Sequence, residues 1–462
     1  MADGEFDVLV LGAGSGGYAC ALRAAQLGLS VGLVEKGNLG GTCLHVGCIP
    51  TKALLHAAEV ADSAREAGQF GVTATLEGID MAGVNAYKDK VVDRLFKGLT
   101  GLIKSRGITV IQGTGTLTGP REVTVDGTAY VGKAVVLASG SYSRSLPGLE
   151  VDGEKVITSE HALRLDRVPA SAIVLGGGVI GCEFASVWRS FGADVTIVEA
   201  LPRLVAAEDE ASSKALERAF RKRKIGFRTA TSYKSVKVTD TGVAVTVEGD
   251  KDGESVIEAE VLLVAVGRGP STDGLGYAEH GVEMDRGFVL TDDRCRTNLE
   301  GVYAVGDIVP GLQLAHRGFQ QGIFVAEEIA GLDPRPVDES GIPRVTYSHP
   351  EIASVGLDEA AARELHGDAV TTVTYDLGGN GKSQILQTQG FVKLVGLVDG
   401  PVLGVHMVGD RVGELIGEAQ LIYNWEAHAE DVAPLVHAHP TQNEALGEAH
   451  LALAGKPLHA HS

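Results

Sequence analysis

The chain has no hydrophobic run that approaches the roughly 20 residues needed to cross a bilayer. Its start, Met-Ala-Asp-Gly-Glu-Phe, is acidic and lacks the basic and apolar regions of a signal peptide. Basic residues are also scarce: 40 Lys and Arg stand against 60 Asp and Glu, giving a net charge of −20. Nucleic-acid phosphates would repel such a surface. These absences predict a cytoplasmic protein without a nucleic-acid or membrane partner.

Cysteine is rare, with five in 462 residues. Two of them, Cys43 and Cys48, lie so close in sequence that a disulfide between them would remove little chain entropy from the unfolded state. Stability is therefore a poor reason for the pair. A dithiol that opens and closes beside a redox cofactor explains it better, and two ordinary buried thiols are the alternative. Cys20, Cys182 and Cys295 have no such neighbour and are expected to pack in the core.

Glycine, in contrast, is abundant, and glycine-rich turns occur in a sequence unit that is present twice. Each unit reads as strand, glycine turn, helix, strand and acid, and the first glycine precedes the acid by 23 positions in both. The glycines allow a tight turn close to a pyrophosphate, the helix N-terminus stabilises its charge, and the acid accepts hydrogen bonds from a ribose. Two complete units predict two bound dinucleotides. The units are Phe6–Leu11, Gly12–Gly17 and Ser30–Glu35, and Ala172–Leu175, Gly176–Gly181 and Asp194–Glu199.

Further apolar runs predict buried parallel strands at 134–138, 261–266 and 302–305. Asp307 follows the last of these, beyond the end of the strand where ligands bind in such sheets. From about Val345 the glycine turns stop, and alternating stretches at 390–398 and 402–408 are followed by helical ones near 414–425 and 444–454. The sequence therefore predicts an α/β fold with two Rossmann-like dinucleotide-binding domains and a C-terminal α+β domain.

A set of motifs extends over nearly the whole chain. Together they resemble the flavoprotein disulfide reductases, and among them the dihydrolipoamide dehydrogenases. The motifs are Gly12-x-Gly14-x-x-Gly17, Gly41-Thr-Cys43-Leu-His-Val-Gly-Cys48-Ile-Pro-Thr-Lys52, Gly176-x-Gly178-x-x-Gly181-Cys-Glu183, Ala304-Val-Gly-Asp307, Gln313-Leu-Ala-His316, the run from Tyr347 to Gly356, and His437-Ala-His439-Pro-Thr441-x-x-Glu444.

The resemblance implies a domain order and two cofactors. An FAD-binding domain with the cysteine pair would span 1–150, an NAD-binding domain 151–272, a segment completing the FAD domain 273–344, and a dimerisation domain 345–462. It implies FAD contacts at Gly12, Gly14, Gly17, Glu35, Lys52, Gly140, Asp307 and Ala315, and NAD contacts at Gly176, Gly178, Gly181, Glu199 and Gly267.

The resemblance also implies a reaction: oxidation of protein-bound dihydrolipoamide with reduction of NAD⁺, as the shared component of 2-oxo acid dehydrogenase complexes. The partner would be the lipoyl domain of the acyltransferase. Cys43 would exchange with substrate and Cys48 would lie against the flavin, at a helix start that lowers thiol pKa. Lys52 would pair with Glu183. His439 and Glu444 would act as an acid–base pair in the partner subunit's site, which requires a homodimer.

Other functions remain open. Glu199 favours NAD, because a carboxylate repels the 2′-phosphate of NADP, but Arg203 lies nearby and keeps NADP possible. An NAD(P)H-dependent reductase of a low-molecular-weight disulfide such as glutathione is the nearest alternative. A mercuric reductase fits less well, since no cysteine follows Cys295. From other classes come a docked assembly component and a catalytically idle flavin-binding scaffold.

A metal site is a further alternative, because His437 and His439 share one face of any strand. No third or fourth ligand is found in the sequence, so no metal is expected. Five positions differ from the commonest residues of the family: His45, Thr51, Ser139, Gly269 and Ser271. The effect of His45, Ser139, Gly269 and Ser271 is left open.

Overall fold

Two largely parallel sheets and one antiparallel sheet dominate the architecture, which confirms the predicted fold class. The computed structural model describes residues 4–250 and 253–459, so the first three residues of the acidic start lie outside it. Separate hydrophobic cores form where each sheet meets its helices.

The first unit is a sheet that packs against α-helices on one face and against strand and loop residues on the other. Its elements are β1 (Glu5–Leu11), α1 (Ser15–Gln26), β2 (Val31–Glu35), α2 (Gly41–Val46), α3 (Cys48–Glu66), a 3₁₀ turn (Ala67–Phe70), α4 (Met81–Ser105), β3 (Thr109–Gln112), β4 (Gly115–Gly119), β5 (Glu122–Val125), β6 (Thr128–Leu137) and β7 (Ser141–Ser143). Strands β3, β2, β1 and β6 run parallel, and β4 and β5 extend the sheet antiparallel.

The second unit repeats this plan. Its elements are β8 (Val156–Ile157), α5 (Ser159–Ala162), β9 (Ser171–Leu175), α6 (Val179–Phe191), β10 (Asp194–Val198), α7 (Glu210–Lys222), β11 (Gly226–Arg228), β12 (Thr231–Val238), β13 (Val243–Gly249), β14 (Gly253–Ala259), β15 (Val261–Val264) and β16 (Arg268–Pro270). The parallel order is β11-β10-β9-β15-β8, and β12, β13 and β14 form a separate antiparallel sheet.

The central segment returns the chain to the first sheet. It holds β17 (Met284–Asp285), β18 (Phe288–Val289), β19 (Val302–Ala304), a 3₁₀ turn (Gly306–Ile308) and α8 (Ala315–Ile329). Strand β19 pairs with β6 in parallel, with Val302 opposite Val135. Asp307 and the start of α8 therefore lie at the same sheet edge as the first glycine turn. The domain boundaries themselves stay predictions.

The C-terminal unit is an antiparallel sheet covered by helices. Its elements are β20 (Arg344–Thr346), β21 (Glu351–Gly356), α9 (Glu359–His366), 3₁₀ turns (Gly367–Ala369 and Leu377–Gly379), β22 (Val370–Asp376), α10 (Gly381–Leu386), β23 (Phe391–Leu397), β24 (Val402–Gly409), α11 (Val412–Asn424), α12 (Ala429–Val432) and α13 (Glu444–Leu453). The strand order is β20-β21-β24-β23-β22.

Helices α1 and α8 cross with almost no side chain between them. A Cβ at Gly318 would lie 2.9 Å from the Ser15 hydroxyl, and one at Gly322 would overlap the carbonyl oxygen of Gly16. Because backbone meets backbone here, the N-termini of both helices point at the same region. The crossing leaves no space for a side chain at Gly318 or Gly322.

We expect Gly322→Ala to force the two helices apart and to lower the free energy of unfolding by about 1–3 kcal/mol, the usual cost of overpacking. Denaturant unfolding measures the loss. Gly101→Ala on α4 is the matched control, because a Cβ there meets no atom within 4 Å and alanine favours the helix. Equal stability of the two variants would contradict the close approach.

Candidate active site

The two cysteines of the predicted dithiol lie on consecutive helices. Cys43 is on α2, and Cys48 is the first residue of α3. Gly47 separates the helices with a non-helical backbone, and a Cβ there would come within 2.9 Å of the Thr42 carbonyl oxygen. Both cysteines are half-buried free thiols, joined by a side-chain hydrogen bond. The break between the helices thus brings the two sulfurs together.

The thiols differ in acidity. The hydrogen bond from Cys43 lowers the pKa of Cys48 to about 7; burial opposes this, and the nearby Lys52 ammonium assists it. The pKa of Cys43 is raised, because its thiol donates that hydrogen bond and because it is buried. A helix N-terminus at Cys48 favours the same assignment. The negative charge of the reduced pair therefore resides on Cys48 and the proton on Cys43.

Lys52 lies one turn after Cys48 and forms an ion pair with a residue of the second unit. Its Nζ donates to both carboxylate oxygens of Glu183, at 2.9 and 3.0 Å. The Glu183 side chain is 3% exposed and lies on α6 of the second unit. Burial alone would lower the pKa of Lys52, but Glu183 more than offsets it and the pKa is raised. Lys52 therefore stays charged beside the dithiol.

Tyr347 completes this junction, although the sequence assigned it no role. Its backbone nitrogen donates to Glu183 Oε1 at 3.0 Å, and the Lys52 Nζ lies 4.6 Å from the centre of its ring. A cation over an aromatic face is stabilised by the ring quadrupole. Its place at the head of the motif from Tyr347 to Gly356 was the available sequence signal. The first unit, the second unit and the C-terminal unit thus meet at one charge pair.

The first glycine turn has the shape of a pyrophosphate cradle. Gly12 has φ +106°, and a Cβ there would overlap the Ala138 carbonyl oxygen; one at Gly17 would overlap Gly12. Gly14 lies between them, and a Cβ added there would meet no atom within 4 Å. Glu35 Oε2 accepts from the Ala13 nitrogen at 2.8 Å and so braces the turn. These residues fit FAD, whose diphosphate needs close access to backbone N–H groups.

The other predicted FAD residues gather at the same sheet edge. Gly140 follows β6 with open space around it, and Ala315 is the first residue of α8. Asp307 Oδ2 accepts from the Ser141 hydroxyl at 2.5 Å, and Arg268 donates to the same hydroxyl at 2.8 Å. Arg268 was not among the predicted residues; its position directly after Gly267 was the available signal.

The second glycine turn reproduces the first. Gly176 has φ +111°, its Cβ would overlap the Ala265 carbonyl oxygen, and a Cβ at Gly181 would overlap Gly176, while Gly178 faces open space. Gly267 follows β15 and also has open space around it. The turn fits a second dinucleotide for the same steric reasons as the first.

Glu199 and Arg203 decide which nucleotide suits this turn. Glu199 accepts from the backbone nitrogens of Gly177 at 2.5 Å and Leu201 at 2.7 Å. The Arg203 guanidinium is bound by the carbonyl oxygens of Ala206 and Glu208 and by a serine hydroxyl. It is therefore held within its own loop. A carboxylate whose neighbouring arginine is already engaged favours the 2′-hydroxyl of NAD.

His439 and Glu444 form the predicted pair. His439 Nδ1 donates to Glu444 Oε1 at 2.8 Å, and Glu444 Oε2 accepts from the Thr441 nitrogen at 2.8 Å. Burial raises the pKa of Glu444, but the bonds from Thr441 and His439 outweigh it, so the pKa is lowered. The His439 side chain is 77% exposed in the single chain. With Nδ1 engaged, Nε2 is the nitrogen available to another molecule.

His437 has a different role. Its Nε2 donates to Glu418 Oε1 at 2.8 Å, and Glu418 also accepts from Asn443. The ring is therefore engaged in packing α11 and α13 together. Within residues 4–250 and 253–459, no group of three or more His, Cys, Asp or Glu could hold a metal ion.

Four of the positions that depart from the family have local contacts in the structure. His45 Nε2 is 2.9 Å from the Leu39 carbonyl oxygen, and Ser139 accepts from a tyrosine hydroxyl at 3.0 Å. A Cβ at Gly269 would lie 2.6 Å from the end of the Tyr142 ring, a side chain that is itself exposed. The Ser271 nitrogen donates to the Gly140 carbonyl. None of these contacts involves the dithiol sulfurs.

Comparison with known proteins gives the family. Residues 6–322 match the model of the pyridine nucleotide-disulphide oxidoreductases, and residues 342–450 match the dimerisation domain of the same group. The chain belongs to this family. Pyridine nucleotide-disulphide oxidoreductases use FAD and NAD(H), and the dimerisation domain indicates a homodimer.

Across the described parts of the chain, no helix has the length and apolar character required to span a membrane.

Relatives of this oxidoreductase extend over nearly its full length. The dihydrolipoyl dehydrogenase of Bacillus subtilis is 41% identical over 471 residues, covering 98% of this chain and 99% of the relative. The mitochondrial dihydrolipoyl dehydrogenase 1 of Arabidopsis thaliana is 41% identical, covering 98% and 92%. The crystal structure of LpdA from Mycobacterium tuberculosis has a TM-score of 0.90 at 26% identity, covering 96% of this chain and 99% of LpdA.

A pH titration tests the acidity of Cys48 in this oxidoreductase. With its pKa lowered to about 7, Cys48 is mainly thiolate above pH 7 and protonated below it. Alkylation of Cys48 in the reduced protein, mapped by mass spectrometry, should therefore rise with a midpoint near pH 7. Lys52→Met removes the nearby cation and should raise the midpoint by about one pH unit. Lys36→Met on an exposed loop is the control; an unmoved midpoint in Lys52→Met would contradict the assignment.

Proposed function

We propose that the protein oxidises protein-bound dihydrolipoamide to lipoamide while NAD⁺ is reduced to NADH. The observation that carries this proposal is the asymmetric dithiol of Cys43 and Cys48, set beside the Lys52–Glu183 pair. Full-length relatives named dihydrolipoyl dehydrogenase support it. A low-molecular-weight disulfide reductase using NADPH is less well supported, because Arg203 is held away from a 2′-phosphate site.

The proposed chemistry starts with the Cys43–Cys48 disulfide. One thiolate of dihydrolipoamide attacks the sulfur of Cys43, the disulfide breaks, and Cys48 leaves as a thiolate. Attack at Cys43 is favoured because the thiol with the lower pKa is the better leaving group. The second substrate thiol then displaces Cys43 from the mixed disulfide, which releases lipoamide and leaves the enzyme with a reduced pair.

His439 would handle the protons. Its Nε2, supplied by the other subunit of the homodimer, would take a proton from the substrate thiol, since imidazole titrates in the range required. Glu444 orients the ring through Nδ1 and stabilises the imidazolium, as a carboxylate does in a hydrolase triad. Lys52 holds positive charge beside the Cys48 thiolate throughout.

FAD, when bound, would carry the electron pair of the reduced cysteines on to NAD⁺. The first glycine turn, Glu35 and Asp307 would hold it, and the second turn with Glu199 would hold NAD(H). One substrate dithiol and NAD⁺ thus yield one disulfide, NADH and a proton.

We also infer the setting of this reaction. The partner would be the lipoyl domain of an acyltransferase in a 2-oxo acid dehydrogenase complex, since that domain carries the substrate dithiol. The compartment would be the cytoplasm, where a cysteine pair is more often catalytic than structural.

Anaerobic titration of the purified FAD-loaded protein tests the activity as a whole. Dihydrolipoamide should generate two free thiols per chain, and addition of NAD⁺ should then form one NADH and restore the disulfide. Thiol counting and NADH absorbance measure the two steps. A protein that ignores dihydrolipoamide but is reduced by NADPH would contradict the proposal and favour the low-molecular-weight disulfide reductase.

The acid–base pair gives a sharper prediction. His439→Gln should lower the rate of dihydrolipoamide oxidation by about 10²- to 10⁴-fold, the usual contribution of a positioned base. Reduction of ferricyanide by NADH needs no dithiol and should persist. The exposed ring of His428 is the control position, and His428→Gln should leave both rates unchanged. Equal loss of both activities in His439→Gln would point to a folding defect.

A mixed-dimer experiment tests whether the site spans two subunits. Cys43→Ser and His439→Gln homodimers should each be inactive with dihydrolipoamide. Unfolding and refolding them together should form heterodimers with one intact site and so restore about a quarter of the wild-type rate per protein. Refolding each variant alone is the control. If the mixture stays inactive while exchange is verified by mass spectrometry, both groups act within one chain.

A further inference from the structure

The loop after β10 crosses back over the second glycine turn. The Val205 nitrogen donates to the Gly177 carbonyl oxygen at 2.8 Å. Leu204 packs directly on the same glycine, so that a Cβ at Gly177 would lie 2.6 Å from Leu204 Cδ2. We call residues 201–209 the cover loop. Gly177 lies between the two glycines predicted to approach the pyrophosphate. The contacts of the cover loop with Gly177 therefore hold the second glycine turn in position.

The cover loop is strained at its point of contact. Val205 has φ +43°, a left-handed conformation that is rare for a β-branched residue. Strained residues persist only where the surrounding structure holds them, and they cluster at ligand clamps. The restraint must therefore come from the rest of the loop or from what it packs against.

Buried polar contacts with the C-terminal unit supply that restraint. Lys393 Nζ donates to both oxygens of Asp209, at 3.0 and 2.9 Å. The Ser354 hydroxyl donates to Glu208 Oε2 at 2.5 Å, and Arg344 lies 3.4 Å from the other oxygen. Asp209, Glu208, Ser354 and Lys393 are all buried. The end of the cover loop is thus tied to the strands β20, β21 and β23 of a different unit.

Lys393 is the charge on which this tie depends. It lies on β23, is 7% exposed, and also pairs with Glu359 at 2.8 Å. Asp209 additionally caps α7 by accepting from the Ala211 nitrogen at 2.9 Å. Without Lys393 the buried Asp209 carboxylate would lose its counter-charge, a costly situation that moves the group toward solvent. Because Asp209 ends the cover loop, its movement would weaken the strained contact between Val205 and Gly177.

We propose that Lys393 is a positioning residue for NAD(H): through Asp209 it holds the cover loop on Gly177 and so sets the affinity of the second glycine turn. The inference rests on the proposed function only in assigning NAD(H) to that turn. It requires nothing of the substrate dithiol. The C-terminal unit thereby serves nucleotide binding as well as dimer formation.

Equilibrium binding of NADH to the FAD-loaded homodimer tests the proposal. Lys393→Met should raise the Kd of NADH about tenfold, with a similar rise in the KM of NAD⁺. The KM of dihydrolipoamide and the alkylation midpoint of Cys48 should not change. Lys393→Arg should restore binding, because it keeps the charge. Arg363→Met is the matched control, since Arg363 pairs with the same Glu359 at 2.8 Å from the exposed side.

A double variant separates positioning from stability. In Asp209→Asn/Lys393→Met the buried charge is gone and asparagine still caps α7, so the thermal midpoint should recover relative to Lys393→Met. The Kd of NADH should nevertheless remain raised, because the tie is broken. Unchanged NADH affinity in Lys393→Met, or recovery of affinity together with the midpoint, would overturn the proposal. Failure of the wild-type protein to bind NADH would instead contradict the proposed function.

Discussion

The ion pair between Lys52 and Glu183 is the interaction on which the site depends. It joins the helix that begins at Cys48 to the helix that follows the second glycine turn, and Tyr347 of the C-terminal unit closes over it. A pair with one nearly inaccessible carboxylate cannot lose a partner cheaply. The ion pair therefore fixes the relative positions of the three units beside the two cysteines.

The two glycine turns show how the same sequence pattern acquires two environments. Both use a glycine of positive φ against a carbonyl oxygen, a second glycine that faces open space, and an acid that accepts from the backbone of the turn. Their surroundings differ. The first is packed against α8 through glycines, whereas the second is backed by the cover loop and its buried contacts with Lys393.

Much of the fold could be predicted from the sequence, because its signals are local. Strand, turn, helix and acid follow one another within 30 residues, and the predicted helix over 414–425 and strand over 402–408 differ from α11 and β24 by one or two residues. The antiparallel sheet of β12, β13 and β14 was not predicted, since its strands are half-exposed and lack long apolar runs.

Part of the candidate site could also be predicted from the sequence. The residue types of the dithiol and of the His439–Glu444 pair could be named from spacing and resemblance. Tyr347, Arg268 and Lys393 could not, because each acts on a partner more than 100 positions away. Long-range partners are set by how units pack, and the Lys52–Glu183 pair, 131 positions apart, could be expected only because the resemblance implied it.

Helix α6 connects the second glycine turn with the dithiol. Its N-terminus belongs to the second glycine turn, and one turn later it carries Glu183, whose charge acts on Lys52 and Cys48. Any displacement of α6 on nucleotide binding would therefore change the field of Glu183 at Cys48. Linkage is reciprocal: by whatever factor a bound dinucleotide changes the acid dissociation constant of Cys48, ionisation of Cys48 changes the affinity for that dinucleotide.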